Sequence, residues 1–398
     1  MFRVIKRFIS RTRLKKRIVK NILAVSYNIF KIFKVKNKIL IASNSSDKLD
    51  RNLLYIYNEI ESQNLDIEIC LRFTKSVDKT FLTKLKKVFT HIVTEYHIAT
   101  SRFVIVDDYY FPLYVTKVRK ETIVIQVWHA SGGFKKIGYS VLDKSFGVSP
   151  KTAKIINIHS NYTYCLMGSK YNAKFYAEAF RTDISKFRTD IGIPRTDVFF
   201  NDELKLNLLE NVRERYSLPK DKKIILFAPT FRGNNRASAH YQDDLDFSLM
   251  KEIIGDKYII LLKLHPWITQ KYEIDDNLKK FLFDVSDYPD INELMMISDI
   301  MITDYSSAIF EYSLLERPMM FFASDYYDYI DERGFYIDFR TDLPGKVYTD
   351  TLSMAHDIKN GNFEIEKVKE FKKQTFEVAD GKASERFVNE LIKPNMIK

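Results

Sequence analysis

Cysteine is scarce in this 398-residue chain, which contains only Cys70 and Cys165. Two cysteines cannot form a disulfide framework, and both lie in apolar strand-like runs, so we expect buried thiols in a reducing compartment. Zinc motifs of the Cys-x-x-Cys and His-Glu-x-x-His types are absent, as is a Walker glycine loop with its lysine. The glycine pair at residues 132–133 is too short to form a dinucleotide-binding loop.

Acidic residues are missing from the first 46 positions, which hold thirteen of the 63 lysines and arginines, while the rest of the chain is nearly neutral. A nucleic-acid-binding protein usually spreads its positive charge over the face that meets phosphates, so we expect no nucleic-acid partner. Residues 1–37 interleave isoleucine and phenylalanine with lysine and arginine. This pattern favours an amphipathic helix on an anionic membrane surface over a solvated arm or a nucleic-acid-binding tail.

Long apolar runs are missing as well. The longest, residues 22–33, is interrupted by Ser26, Asn28 and Lys31, and it is far shorter than the roughly 20 residues that a membrane-spanning helix needs. No apolar segment with a small-residue cleavage site follows the basic residues, so a secretory signal is not expected. We therefore expect the protein to associate with a membrane peripherally.

Apolar strand-like runs alternate with helical stretches along both halves of the chain. In the first half they cover residues 38–42, 65–73, 103–107, 122–127 and 163–168. In the second half they cover residues 223–228, 258–264, 281–285, 300–303 and 318–323. Such alternation is typical of an α/β fold in which helices cover both faces of a parallel sheet.

A polar helical segment, residues 203–216, separates the two halves, and the chain is too long for a single core. We predict a basic arm at residues 1–37, a first Rossmann-like domain at residues 38–216 and a second at residues 217–398, which ends in closing helices. Two such domains facing each other across a cleft would bind a ligand at the carboxyl ends of their strands.

The segment at residues 299–338 contains the most informative motif. A buried strand breaks at DYSS, residues 304–307, and a helix with apolar residues Ile309, Tyr312 and Leu315 follows. The first turn of a helix has free N–H groups and a dipole that favours anions, so the serines can hold a diphosphate. Serine and aspartate are also ordinary helix caps, which is the alternative.

Four further segments follow predicted strands or turns: QVWHASGGFKKIG at 126–138, GIPRTD at 192–197, FAPTFR at 227–232 and KLHP at 263–266. Together with DYSS they resemble, in order, the blocks of the CDP-glycerol glycerophosphotransferase family, the teichoic-acid primases and polymerases. The resemblance runs from about Ile39 to about Phe339. Polymerases of the family tend to read Trp-His-Gly-Thr-Pro at the first block, whereas WHASG at 128–132, with Lys135, Lys136 and Gly138, looks more like the primase branch.

The resemblance implies a GT-B-like fold and an enzyme that transfers glycerol phosphate from CDP-glycerol to a hydroxyl of an undecaprenyl-diphosphate-linked saccharide. CMP would be released, and the enzyme would act as a primase at the cytoplasmic side of the membrane. Three alternatives stay open. They are an extender or polymerase of the same family that uses CDP-glycerol or CDP-ribitol, a GT-B nucleotide-sugar glycosyltransferase, and a non-catalytic basic protein that binds membranes or nucleic acid.

Two histidines are the candidate catalytic residues, and the family blocks supply the candidate binding residues. His129 is the candidate base for the acceptor hydroxyl, with phosphate binding or a structural role as alternatives. His265 is expected to contact the diphosphate, by donating hydrogen bonds or by assisting CMP departure. The predicted substrate-binding residues are Trp128, Ala130, Ser131, Gly132, Arg195, Pro229, Thr230, Lys263, Asp304, Ser306, Ser307 and Glu311.

Individual roles within that set differ. Arg195 is expected on an exposed turn, where its guanidinium suits paired phosphate oxygens. By resemblance, Glu311 would bind ribose or glycerol hydroxyls, and an exposed helix carboxylate is the alternative. No metal or cofactor is expected, although Asp304 leaves magnesium open.

Overall fold

The computed structural model describes residues 2–74, 80–142, 144, 149–233, 237–242, 244–326 and 334–397; for residues 2–15, 81, 84 and 151 it describes the backbone alone. Contacts divide the chain into two compact units. The first unit contains Met1–His129, Ile137–Arg195 and Lys382–Lys398, and the second contains Ala130–Lys136 and Thr196–Gly381.

Strands and helices alternate along the described residues. The strands are β1 (Lys36–Ser43), β2 (Glu68–Phe73), β3 (Ser101–Val106), β4 (Ile123–Gln126), β5 (Tyr164–Leu166), β6 (Phe187–Arg188), β7 (Lys223–Ala228), β8 (Tyr258–Leu262), β9 (Leu282–Asp284), β10 (Ile300–Thr303), β11 (Met319–Phe322) and β12 (Val347–Tyr348). The α-helices are α1 (Phe2–Phe30), α2 (Arg51–Ser62), α3 (Phe81–Thr100), α4 (Phe111–Tyr114), α5 (Pro150–Ala153), α6 (Lys170–Phe180), α7 (Asp202–Tyr216), α8 (Phe247–Ile254), α9 (Ile291–Ile297), α10 (Ala308–Ser313), α11 (Thr351–Asn360), α12 (Ile365–Thr375) and α13 (Ala383–Phe387).

The first unit is built on a six-stranded, all-parallel sheet with the order β2-β1-β3-β4-β5-β6. Apolar side chains of β1 and β3 pack against Leu53 and Ile56 of α2, and Phe387 and Leu391 from the end of the chain complete this core. The strand order reverses direction between β1 and β3. The carboxyl ends of these two strands therefore border the crevice in which open α/β sheets bind ligands.

The second unit contains another six-stranded parallel sheet, with the order β12-β11-β10-β7-β8-β9. Ile225 and Ile260, from adjacent strands, pack in one core with Met250 of α8 and Met354 of α11. Here the strand order reverses between β7 and β10, so the loops that follow these strands border the crevice of this sheet. The prediction of an α/β fold with two parallel sheets is confirmed.

The division into units differs from the predicted boundary at residue 216. Helix α7 belongs to the second unit because it packs against α9, so the boundary between the two units lies after Arg195. Two segments also lie outside their predicted domains. Ala130–Lys136 packs within the second unit, whereas Lys382–Lys398 returns to the first unit.

Helix α1 covers most of the predicted basic arm, and the side chains of residues 1–15 lie outside the described part of the structure. The rest of α1 packs against α3 of the first unit, with Leu23 and Tyr27 fully buried. The Tyr27 hydroxyl accepts a hydrogen bond from the Arg119 N–H at 2.8 Å, and Lys20 Nζ donates to the Ile155 carbonyl at 2.6 Å. This half of α1 is therefore a docked helix and not a free arm.

The opposite face of α1 exposes Ile18, Ile22, Val25 and Ile29, at 48%, 40%, 58% and 56% of their surface. Their spacing of four, three and four residues places them on one helical face. Within the described residues, none of the helices combines the length and the apolar character required to cross a bilayer.

Candidate active site

In the first unit, the residues that follow β3 and β4 form the candidate site. Trp128 has a left-handed backbone with φ of 49°, a conformation that is strained for a bulky residue and tends to mark functional positions. Three hydrogen bonds hold it: Trp128 N donates to Gln126 Oε1 at 2.9 Å, and Asn52 Nδ2 donates to the carbonyls of Val127 and Trp128 at 3.0 and 2.9 Å. The turn therefore fixes the position of the next residue, His129.

The ring of His129 is held in one orientation and one tautomer. It stacks on the Trp128 ring with a centroid distance of 4.5 Å, and its Nδ1 lies 3.0 Å from the Asp107 carbonyl oxygen. A carbonyl oxygen can only accept, so Nδ1 carries the hydrogen and Nε2 keeps its lone pair. The half-buried imidazole is thus prepared to accept a proton at Nε2.

Asp107, the first residue after β3, was not among the predicted site residues. Its side chain is fully buried, and within the described residues neither carboxylate oxygen has a hydrogen-bond partner of good geometry. Burial raises the pKa of Asp107, whereas the nearby Ser43 hydroxyl and the His129 ring act in the opposite direction. The sequence signal for Asp107 is its position at the carboxyl end of a predicted strand.

Arg195 lies at the start of a 3-10 helix, Pro194–Phe200, and it is half-buried, which corrects the prediction of an exposed turn. Its backbone N–H donates to Asn52 Oδ1 at 3.0 Å. The side-chain amide of Asn52 thus links the turn at Trp128 to the start of this helix. Asn52, like Asp107, was missed by the sequence analysis, because a buried asparagine inside a helix has no distinctive pattern.

In the second unit, Asp304 connects the loop after β10 to the loop after β7. Its Oδ1 accepts from Thr230 N at 2.8 Å, and its Oδ2 accepts from Thr230 Oγ1 at 2.9 Å and from Arg232 at 3.0 Å. The Asp304 side chain is only 4% exposed. Both carboxylate oxygens accept hydrogen bonds from the protein, so Asp304 joins the two loops, and its predicted contact with the substrate stays a prediction.

Arg232 is the centre of this ion-pair network. Its guanidinium also forms two hydrogen bonds with Asp325, at 2.5 and 3.1 Å, and the Tyr305 hydroxyl donates to Asp325 at 2.9 Å. Burial lowers the pKa of Arg232, but the carboxylates of Asp304 and Asp325 more than reverse this effect and raise it. Arg232 and Asp325 are 93 positions apart in the chain, which explains why the sequence analysis did not pair them.

The two serines of the DYSS motif differ in their roles. Ser306 Oγ accepts from Ala308 N at 3.2 Å, which is the capping role weighed as the alternative. Ser307 is exposed and its side chain makes no cap hydrogen bond. Helix α10 contains only six residues, so it is shorter than the sequence pattern predicted. Pro229, next to Thr230, is buried.

The loop Ala130–Lys136 packs on α10 inside the second unit. Ser131 is fully buried and its hydroxyl donates to Glu311, a buried carboxylate and not the exposed one considered as an alternative. Gly132 lies so close to Phe310 that an added Cβ would approach the ring to 2.4 Å. Only glycine fits there. Ala130, at the start of the same loop, is half-buried.

His265 follows β8 and has the opposite hydrogen-bonding pattern from His129. Its Nδ1 accepts from Trp267 N at 3.1 Å, so the neutral ring carries its hydrogen on Nε2. Burial lowers the pKa of His265 to about 4, and Lys135 and Lys263 act in the same direction. Near neutral pH this ring can donate a hydrogen bond but carries no charge.

Lys263 supports the loops of the second unit. Its Nζ donates to the carbonyls of Ser286 and Tyr288, both at 2.7 Å, and the residue is 7% exposed. Desolvation lowers the pKa of this lysine. Its ammonium group thus donates to two carbonyl oxygens, and its predicted contact with the substrate stays a prediction.

The predicted residues therefore fall into two sets, one in each unit. Trp128, His129 and Arg195 lie in the first unit, around Asn52. The remaining predicted residues lie in the second unit: Ala130, Ser131, Gly132, Pro229, Thr230, Lys263, His265, Asp304, Ser306, Ser307 and Glu311.

Comparisons with known proteins identify the family and the fold. The family model of CDP-glycerol:poly(glycerophosphate) glycerophosphotransferase matches residues 23–393. The chain is 39% identical to the teichoic acid ribitol-phosphate primase of Bacillus spizizenii, over 93% of this chain and 95% of the relative. It is 37% identical to the teichoic acid poly(ribitol-phosphate) polymerase of the same species, over 93% of this chain but only 58% of the relative.

The solved structure of the wall teichoic acid polymerase TagF has a similar fold. It superposes with a TM-score of 0.74 at 26% identity, covering 98% of both chains. The predicted GT-B-like fold is thereby confirmed. The family match covers most of the chain and includes all the motifs described above, so this protein belongs to the CDP-glycerol:poly(glycerophosphate) glycerophosphotransferase family of enzymes in teichoic acid synthesis.

Proposed function

We propose that this enzyme transfers a polyol phosphate from a CDP-activated polyol to a hydroxyl of a lipid-linked saccharide and releases CMP. The observation that carries the proposal is the tautomer of His129, whose Nδ1–H is held by the Asp107 carbonyl so that Nε2 can act as a base. Family membership supplies the reaction class.

The proposed chemistry assigns a distinct role to each histidine. The acceptor oxygen attacks the β-phosphorus, its proton passes to His129 Nε2, and the bond from that phosphorus to the CMP oxygen breaks. Negative charge on the phosphate oxygens is stabilised by the Nε2–H of neutral His265 and by the exposed hydroxyl of Ser307. The remaining DYSS residues and Arg232 hold their loops rigid, so that these donors are preorganised.

Ribitol phosphate is the donor group that the relatives favour, because the two reported above are a ribitol-phosphate primase and a ribitol-phosphate polymerase. Glycerol phosphate, the prediction from sequence, is the second candidate, because the matching family model is described for CDP-glycerol. Primase activity is proposed over polymerase activity because residues 128–132 read WHASG.

An assay with labelled donors tests the proposal. Purified protein is incubated with CDP-ribitol or CDP-glycerol and a synthetic undecaprenyl-diphosphate saccharide, with and without a preattached glycerol phosphate, and the products are analysed by mass spectrometry. A primase adds one polyol phosphate, and a polymerase gives a ladder. Absence of transfer from both donors, or a hexose mass added from a nucleotide sugar, would overturn the proposal.

We further propose that α1 brings the enzyme to an anionic membrane, supported by its basic residues and by the exposed stripe of Ile18, Ile22, Val25 and Ile29. Co-sedimentation with vesicles containing phosphatidylglycerol tests this, with phosphatidylcholine vesicles as control. Replacing the four residues with serine leaves the packing of Leu23 and Tyr27 intact, and it should abolish binding. Wild-type binding that depends on neither the charge of the lipid nor the salt concentration would refute the proposal.

A further inference from the structure

Asp107 is a buried carboxylate of the first unit, next to the candidate site, that the proposed chemistry does not yet use. It lies at the carboxyl end of β3, beside the point where the strand order reverses. The residue is 0% exposed, and within the described residues both carboxylate oxygens lack a well-formed hydrogen bond. A buried carboxylate without donors is destabilising unless a compensating charge is present.

The surroundings of Asp107 offer two candidate compensating charges. Four polar or charged side chains influence its carboxylate, contributed by β1, by α2, by the loop after β3 and by the loop after β4: Ser43, Arg51, Asp108 and His129. Arg51 is exposed and donates to Ser45 Oγ at 3.4 Å, and Asp108 accepts from Tyr109 N at 2.6 Å. Asp108 is itself negative, so His129 is the only half-buried group in this set that can become positive.

Asp107 and His129 are already connected through the backbone. The Asp107 carbonyl accepts the hydrogen on His129 Nδ1 at 3.0 Å, so one residue supplies both the oxygen that orients the ring and a carboxylate near it. The corresponding aspartate of the second sheet, Asp304, is saturated by three donors and has no comparable freedom.

We infer that Asp107 is a positioning residue for His129: its carbonyl fixes the ring, and its carboxylate offsets the positive charge that forms when Nε2 takes the acceptor proton. This inference rests on the proposed function. During transfer the proton moves from the acceptor oxygen to Nε2, the hydrogen on Nδ1 stays on Nδ1 and keeps its hydrogen bond to the Asp107 carbonyl, and the electron pair of the breaking phosphorus–oxygen bond leaves with CMP. The imidazolium then returns its proton to solvent.

The variant Asp107→Asn tests the inference, since it removes the charge but keeps the shape and the backbone carbonyl. Loss of the negative charge should move the midpoint of the His129 ring titration, followed by NMR in the resting protein, to lower pH by about one unit. The His129 signal is assigned by its absence in His129→Ala. Asp108→Asn is the matched control, because it removes the same charge one position further along, and it should give a clearly smaller shift.

Kinetics give a second readout. We expect Asp107→Asn to lower kcat about 10- to 100-fold, a part of the ~10²–10⁴-fold that general base catalysis contributes. KM for the donor should change less than about threefold, because the donor contacts are assigned to the other unit. The acid limb of the pH–rate profile should move to lower pH, in the same direction as the ring titration.

The outcomes separate the inference from the proposed function. An unchanged ring titration in Asp107→Asn, or an equal shift in Asp108→Asn, overturns the inference even if polyol-phosphate transfer is observed. A shift specific to Asp107→Asn supports the charge pairing even if neither CDP-polyol is a substrate, in which case the proposed function fails instead. If Asp107→Asn does not fold, Ser43→Ala replaces it. Removing the hydroxyl that lowers the pKa of Asp107 should weaken the coupling, and an unaltered titration in that variant also overturns the inference.

Discussion

Each sheet has an aspartate and a histidine in the loops that follow its strands, but the two sheets use them in opposite ways. Asp107 and Asp304 each follow a strand at the point where the strand order reverses. Asp107 has no well-formed hydrogen bond among the described residues, whereas Asp304 accepts three. Nδ1 of His129 donates to a carbonyl, whereas Nδ1 of His265 accepts from an amide N–H.

The contrast shows that the hydrogen-bond partner of one ring nitrogen determines whether the other ring nitrogen is a proton acceptor or a hydrogen-bond donor. A histidine that donates through Nδ1 is left with a basic Nε2, and a histidine that accepts through Nδ1 is left with an Nε2–H donor. Residue type alone therefore does not separate a general base from a phosphate-binding group. The backbone around each ring makes that distinction.

Replacing His129 with alanine tests the base proposed for the first unit. We expect kcat to fall by about 10²–10⁴-fold, because the only proposed base is lost. Donor binding, measured by calorimetry, should stay within about threefold of wild type. A variant that keeps a third or more of the wild-type kcat would contradict the role of His129.

The substitution Asp304→Ala tests the aspartate that accepts three hydrogen bonds. It removes the three hydrogen bonds that Asp304 accepts from Thr230 and Arg232, so the free energy of unfolding should fall by about 3–5 kcal/mol. Asp107→Asn, which loses no hydrogen bond from its carboxylate, should change that free energy by less than about 1 kcal/mol. Chemical denaturation measures both. Equal losses would mean that the two aspartates are not used differently.

The role of His265 as a neutral donor is tested by a pair of variants. His265→Ala should lower kcat/KM by roughly 10- to 100-fold, the effect of losing one hydrogen bond to a charged group. His265→Gln retains an N–H donor and should recover part of this loss. Because burial lowers the pKa of His265 to about 4, neither variant should change the shape of the pH–rate profile between pH 6 and 8. A changed shape would assign a proton-transfer role to His265.

The smallest expected effect is the loss of folding stability at acidic pH. Burial lowers the pKa of His97 and His265 to about 4 and that of His159 to about 3. The unfolded chain binds these protons first, so stability is complete above about pH 6.5 and declines as the pH falls toward 4. At pH 6 the loss should be under about 1 kcal/mol for each histidine. Replacing His159 with asparagine should flatten the dependence of the melting temperature on pH, and an unchanged slope would argue against this origin.

The sequence predicted the sheets well because their strands are long, continuous apolar runs. The ten predicted runs all correspond to strands, and the two strands that were missed, β6 and β12, contain two residues each. A two-residue strand is too short to show any periodicity. The helix after DYSS was predicted too long because its apolar spacing continues beyond the last hydrogen-bonded turn.

The site was only partly predictable, because sequence motifs identify residue types but not the hydrogen bonds between distant positions. The family blocks selected His129, His265 and the serines as candidates. They did not reveal that Lys263 and Asp304 are committed to the protein, since their partners are carbonyls, a threonine and an arginine brought close by the fold. The docking of α1 was missed for the same reason, because Tyr27 and Arg119 are 92 positions apart.

The return of Lys382–Lys398 to the first unit has a consequence for biosynthesis. Phe387, Val388, Leu391 and Ile392 fill the core beneath the first sheet, yet they are synthesised after every residue of the second unit. The second unit, whose residues end at Gly381, can therefore finish folding before the first, which reverses the usual vectorial order. A nascent chain stalled before position 383 would leave that apolar face open to chaperones.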